Sequence, residues 1–136
     1  MNDYFYPWLA GFVDGEGCLG VYNYTHSPSC RITISNTNLE TILYIKKYLG
    51  GRKRERRLSS AGEKRKPVYQ LCFTGKDAQA ILKLIYPYLI TKHEQAKLLL
   101  SMNFNKSGEC KRLTTEEKNK RNIIQMRIKK LNHRGI

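Results

Sequence analysis

Trp8-Leu9-Ala10-Gly11-Phe12-Val13-Asp14-Gly15-Glu16-Gly17-Cys18 is the stretch on which the reading of this chain turns. Spaced as a helix, Leu9, Phe12 and Val13 fall at i, i+3 and i+4 and form an apolar stripe. Gly11 and Gly15 lie one turn apart, with no side chains to hold a partner away. A glycine at 15 or 17 in the left-handed conformation is expected to end the helix, which leaves Glu16 at its tip. Two such helices can approach closely, so Leu9, Gly11, Phe12 and Gly15 are the expected contacts of a helix pair formed by two copies of the chain. The alternative is that the glycines face the chain's own core, but a carboxylate directly after a small-residue helix is a poor core element.

Downstream, the hydrophobic period changes from helical to alternating. Residues 18–25 set Leu19 and Val21 on one face and Tyr22 and Tyr24 on the other, the pattern of a half-buried strand. His26-Ser27-Pro28-Ser29 reads as a turn, and 30–35 sets Ile32 and Ile34 against Arg31, Thr33 and Ser35. Asn36 or Asn38 can cap a helix running to Leu49, with Leu39, Ile42, Leu43, Ile45 and Leu49 as its apolar face and Gly50-Gly51 as its end. A second hairpin follows, 52–58 and 68–73, and then helices over 76–86, stopped by Pro87, and 91–102. The order is helix, hairpin, helix, hairpin, helices. It predicts an α+β fold: a four-stranded antiparallel sheet with helices on one face. In the segment 106–136, Thr114-Thr115-Glu116-Glu117 fits a capping box, and Ile124, Ile128 and Leu131 make a narrow apolar stripe for a final basic helix docked on the body.

Composition narrows the partners. At 136 residues this is one domain, with 25 Lys and Arg against 11 Asp and Glu and a net charge of +14, the balance of a nucleic-acid binder. No apolar run approaches a membrane span and the N-terminus lacks a signal-peptide pattern, so a soluble, unsecreted protein without a membrane partner is expected. Cys18, Cys30, Cys72 and Cys110 have no zinc-type spacing. They read as reduced, small apolar fillers.

The outward face of the predicted sheet collects Tyr22, Tyr24 and His26 on the first strand, Arg31 and Thr33 on the second, and Arg52, Arg54 and Arg56 on the third. Lys64 belongs to the same run of eight Lys/Arg between Arg52 and Lys66. On the fourth strand Gln70 is taken as outward if Tyr69, Leu71 and Phe73 form the core set. Cations beside flat amphipathic side chains are what duplex DNA asks for, charge for the phosphates and reach for the base edges. A strand of about eight residues spans roughly 26 Å, about eight base pairs, so one chain reads a half-site.

The string Leu9-Ala10-Gly11-Phe12-Val13-Asp14-Gly15-Glu16-Gly17 closely resembles the signature of the LAGLIDADG homing endonucleases. The element order resembles that family's αββαββα core over about residues 3–101, leaving 102–136 as a basic helical extension of a single domain spanning 1–136. The resemblance implies a sequence-specific, homodimeric DNA endonuclease of the intron-encoded, single-motif type, cutting both strands of a long, near-palindromic target by metal-dependent phosphodiester hydrolysis. It implies Mg²⁺ as cofactor, with Mn²⁺ or Ca²⁺ able to take the same sites, held at Glu16 and Gly15, and Glu in place of the commoner Asp. Asp14 is read as support for the motif. Lys92, in Leu89-Ile90-Thr91-Lys92-His93-Glu94-Gln95-Ala96, resembles the lysine that orders water around the scissile phosphate. Asn36 matches a water-positioning polar residue that is often Gln. Catalytic candidates are thus Glu16, Lys92 and Asn36. Two alternatives share the scaffold: an intron maturase binding structured RNA, and a DNA-binding protein that does not cleave. The expected compartment is an organelle matrix (chloroplast or mitochondrion) or a prokaryotic cytoplasm.

Overall fold

The computed structural model describes residues 4–24, 27–50, 52–56, 67–102 and 114–132, with the side chains of 23, 24, 27 and 52–56 outside that description. Helix α1 (Phe5–Glu16) leads directly into strand β1 (Gly17–Tyr24). Then follow β2 (Ser27–Asn36), α2 (Leu39–Leu49), β3 (Arg52–Arg56), β4 (Val68–Thr74), α3 (Gly75–Ile85), a 3₁₀ turn (Tyr86–Tyr88), α4 (His93–Leu100) and α5 (Thr115–Asn132). The strands form one four-stranded sheet in the order β1-β2-β4-β3, every neighbouring pair antiparallel. The α+β class and the αββαββα order expected from the sequence are the ones observed.

The period-2 alternation decides which face is covered. Leu19 pairs with Ile32, Ile32 with Phe73 and Ile34 with Leu71, and all five side chains are buried. Helix α2 lies against β2, β4 and β3, α3 against β2 and β4, and α4 and α5 cover the β1 side. Their contributions to the core are Ile42 and Ile45, Ala78, Ile81, Leu82 and Ile85, Ala96 and Leu99, and Ile124 and Ile128. Leu43, expected on the buried face of α2, is exposed.

Local chemistry sets the element ends. Asn38 is the cap of α2, its Oδ1 accepting from the Thr41 N–H at 3.1 Å, while Asn36 Oδ1 accepts from the Asn38 N–H at 2.7 Å in an Asx turn. Gly50 ends α2 at φ 76° and donates to the Lys46 carbonyl. The end of α1 differs from expectation. Gly17 is extended (φ −91°, ψ 169°), not left-handed; a Cβ there would sit 3.0 Å from Val13 Cα and O, so close backbone approach, not dihedral freedom, demands glycine. The expected turn at 26–29 is also shifted. Ser27, Pro28 and Ser29 pair with Tyr24, Asn23 and Tyr22 inside the first ladder. Pro28 is accommodated because β4 pairs only with 31–36, so proline's missing N–H falls on the stretch of β2 that β4 does not reach.

Helix α5 is a docked part of the body. Thr114 Oγ1 accepts from the Glu117 N–H, and Arg121, 3 % exposed, donates from Nη1 to the Pro28 carbonyl at 2.8 Å and from Nε to Glu117 at 3.0 Å. At its other end Asn132 donates to the Leu19 carbonyl and accepts from Gln95. The extension thus fastens the β1–β2 hairpin from beneath at two points.

Candidate nucleic-acid interface and catalytic end of the first helix

Helix α1 divides its residues by angle. Phe5, Leu9, Ala10 and Val13 are buried in the chain's own core, whereas Tyr4, Trp8, Gly11 and Gly15 face outward. Leu9 is 0 % exposed and unavailable to a partner, which corrects its assignment to an interface: two residues from Gly11 is about 200° around a helix. Phe12 is half-buried, its ring 5.3 Å from that of Trp8. A Cβ added at Gly11 or Gly15 would meet nothing within 4 Å among the described residues, so no described part of the chain packs against these glycines. Around them lies exposed apolar surface that sequence reasoning missed. Trp8 is 40 % and Ile90 85 % exposed, and Tyr44, which packs on Trp8 edge-to-face at 5.4 Å, is also open. An outward tryptophan three residues before Gly11 was the available signal.

Asp14 lies in the last turn of this helix, and its carboxylate holds another segment. Its Oδ2 accepts from the Ile90 N–H at 2.7 Å and its Oδ1 from the Lys92 N–H at 2.9 Å. Lys92 answers by donating from Nζ to the Asp14 carbonyl at 2.6 Å, satisfying one of the carbonyls a helix leaves open at its C-terminus. The supporting role expected of Asp14 is the one observed. Lys92 is brought to the end of α1, at the N-cap position of α4 instead of inside a helix starting at 91. The ammonium has three donors, and this bond uses one.

Glu16 ends α1 and is exposed. Strand β2 continues to Asn36, two residues past the Ile34 that pairs with Gly17, so Asn36 belongs to the same end of the sheet. Its Oδ1 is taken by the Asx turn. An exposed carboxylate is the oxygen donor a hard divalent cation takes, and the residue type at 16 fits that group. Gly15 can offer only backbone. Among the described residues no group of three or more His, Cys, Asp or Glu side chains gathers in one place.

The outer sheet face carries most of the expected contact residues. Cys18, Gly20, Tyr22 and Tyr24 pair with Thr33, Arg31, Ser29 and Ser27; Ser35, Thr33 and Arg31 pair with Gln70, Cys72 and Thr74; Arg52, Arg54 and Arg56 pair with Cys72, Gln70 and Val68. Thus Tyr22, Tyr24, Arg31, Thr33, Gln70 and the three arginines occupy register positions of one face. Leu71 and Phe73 are buried beneath it, which resolves the fourth strand in favour of Gln70 outward. Gln70 Nε2 donates to Ser35 Oγ at 3.2 Å, and Arg31 Nε to Thr33 Oγ1 at 3.0 Å. His26 and Lys64 lie outside the described residues. Cys18 is exposed and Cys72 half-exposed on this face, so only Cys30 among the described cysteines is the filler expected; burial pushes its thiol up to about 12 against the lowering influence of Arg121. No described helix is long and apolar enough to cross a membrane.

Comparison with known proteins agrees with this architecture. Residues 9–106 match the family model described as LAGLIDADG endonuclease. The chain is 31 % identical over 107 residues to the DNA endonuclease I-CvuI of Chlorella vulgaris, a match covering 71 % of this chain and 62 % of that protein. The match thus spans under two thirds of that relative's length. Its fold is similar to that of I-CvuI in complex with the I-CreI target (TM-score 0.66, 23 % identity, 93 % of this chain and 81 % of that one). It is also similar to the archaeal intron-encoded homing endonuclease I-Vdi141I complexed with DNA (TM-score 0.70, 20 % identity, 98 % and 87 %). With its motif helix, sheet and family-model match in agreement, the chain belongs to the LAGLIDADG endonuclease family.

Proposed function

We propose that this chain is a homodimeric, divalent-metal-dependent endonuclease that reads a near-palindromic DNA duplex with its sheet and cuts both strands at the paired ends of α1. The observation that carries this reading is the end of α1, where the exposed Glu16 follows by two residues the Asp14 to which Lys92 is bound. The open Gly11–Gly15 face of the same helix supports the dimer, because at these two positions no side chain of its own holds a second copy away. A twofold axis along that face brings two Glu16 carboxylates together and gives each strand of the duplex its own set of groups. The outer face of the sheet, about 26 Å along a strand, then serves one half-site.

Within this reading Glu16 of each copy holds a cation, Mg²⁺ by preference for oxygen ligands and with Mn²⁺ or Ca²⁺ as substitutes. The cation, when bound, supplies Lewis acidity to the phosphodiester. Lys92, tethered through Asp14, sets a positive charge beside the phosphate and offers its two remaining N–H donors to water or to developing negative charge. Asn36, whose Oδ1 already accepts one bond from the Asn38 N–H, offers its amide N–H groups and the second lone pair of that oxygen to ordering water. The curated relative's name, DNA endonuclease I-CvuI, supports DNA as substrate.

The test is Glu16→Gln, which keeps size and polarity and removes the charge. Cleavage of a duplex carrying the intron-less insertion site should fall by several orders of magnitude, while duplex binding in Ca²⁺ persists. A Glu16→Gln protein cutting both strands at the unmodified rate would exclude this active site; an unmodified protein that binds without ever cutting would favour a non-cleaving binder.

A further inference from the structure

Nothing among the described residues requires glycine at position 20. It sits inside β1, where glycine weakens a strand, and its φ is not positive. A Cβ built on it would meet nothing within 4 Å among the described residues. Its cross-strand partner is Arg31. That arginine is the best-anchored cation described on the outer face: Nε donates to Thr33 Oγ1 at 3.0 Å, and Cζ stands 5.7 Å from the centroid of the Tyr22 ring. Thr33 itself is nearly buried, at 9 % exposure, so the anchor is firm. With Nε engaged, Nη1 and Nη2 have no hydrogen-bond partner among the described residues. They form the in-plane donor pair that matches guanine O6 and N7 in the major groove. Holding a long side chain in its bound conformation before binding also lowers the entropy lost on contact.

We propose that Gly20, Tyr22, Arg31 and Thr33 form a guanine-reading subsite. Arg31 is its specificity-determining residue, Thr33 and Tyr22 position the guanidinium, and Gly20 leaves the clearance through which a base edge reaches it. The subsite rests on the reading of this sheet face as a duplex-binding surface and adds to it a base identity and a role for a residue without a side chain. Gly20 is three residues along β1 from Gly17, roughly 10 Å or three base pairs outward from the end of α1. The guanine therefore lies within the half-site and recurs at the symmetric position of its mate.

The experiment selects duplexes from a randomised library with the full chain in Ca²⁺, then measures binding of variants to singly substituted targets, with thermal denaturation alongside. Arg31→Ala should lose about 5- to 150-fold discrimination for guanine at one symmetric pair of positions and leave the others unchanged. Arg31→Lys, which keeps the charge and loses the planar fork, should bind the preferred target more weakly and relax the same pair, and Thr33→Val should relax that pair in part. Gly20→Val should melt at or above the unmodified temperature while losing affinity to a comparable degree. Failure of the unmodified chain to select any consensus would overturn the duplex-reading function underneath. A consensus that Arg31→Ala scales down uniformly would mark a phosphate contact and overturn the subsite alone. Unchanged binding by Gly20→Val, or its unfolding, would overturn the clearance role.

Discussion

Asp14 and Lys92, 78 residues apart in the chain, hold one another by backbone and side chain at once: the Asp14 carboxylate accepts the Lys92 N–H, and the Lys92 ammonium donates to the Asp14 carbonyl. The motif helix is thereby joined to the segment before α4, and one helix end carries both the exposed Glu16 and a cation. The two halves of the clasp have separable consequences. Asp14→Asn leaves one acceptor where two N–H groups, of Ile90 and Lys92, now find carboxylate oxygens, and should cost about 1–3 kcal/mol of stability. Lys92→Met keeps both of those bonds, so urea denaturation should change by no more than about 1 kcal/mol while single-turnover cleavage collapses. Equal stability losses with cleavage retained in Lys92→Met would reduce Lys92 to a helix cap.

The outward face of α1 predicts an assembly defect without a folding defect. Because nothing among the described residues lies within 4 Å of a Cβ at Gly11, a leucine there starts into open space, and it removes a poor helix former. Gly11→Leu should therefore fold, yet sediment as a monomer and fail to make double-strand cuts, since overpacking at a close helix crossing costs about 1–3 kcal/mol per copy. Sedimentation of the unmodified chain as a monomer, both alone and on DNA, is the result that would end the paired-helix arrangement.

Arg121 carries the docking of α5. Its guanidinium, 3 % exposed, binds both Glu117 and the Pro28 carbonyl, so Arg121→Met removes both hydrogen bonds and the positive charge that faces the Glu117 carboxylate. A loss of about 3 kcal/mol is expected in denaturant unfolding, the lower part of the range for breaking a buried pair, because Glu117 retains 13 % exposure. Adding Glu117→Gln should restore part of it, since the double variant no longer keeps a carboxylate charge where Arg121 had faced it. Purely additive losses would show that the pair is not coupled.

Cys30 predicts an alkaline effect. Burial raises its thiol from 9.0 to about 12, so between those values the folded chain keeps a proton that the unfolded chain releases. The sign follows: this contribution is complete below about pH 9 and is lost as pH rises toward 12. Comparing unmodified protein with Cys30→Val over that interval should show a shallower fall for the variant. In native protein, Cys18 should be alkylated at pH 8 well before Cys30, because one is exposed and the other buried; comparable alkylation rates would contradict the burial of Cys30.

The element order and the two faces of the sheet were legible in the residues because periodicity is local. Leu19, Ile32 and Ile34 alternate with Tyr22, Arg31 and Thr33 whatever surrounds them, and the observed register keeps that division. Capping was legible for the same reason, as Asn38 and Thr114 show. Other features were beyond local reading. A glycine at 17 could mean a left-handed cap or a close approach, and only the position of Val13 chose the second. Leu9 and Gly11 looked like one interface until the core claimed Leu9. The fourth strand admitted either face until Leu71 and Phe73 met β2.

The sequence by itself determined the family and the α+β class, because the nine-residue motif and the alternating strands need no distant partner to be recognised. Tertiary structure alone decided that Lys92 stands at the end of α1, that Trp8 and Ile90 are left exposed, and that Arg31 is anchored across from a bare glycine. Each of these depends on residues separated along the chain or on the space left between them, and a one-dimensional pattern carries neither distance nor clearance.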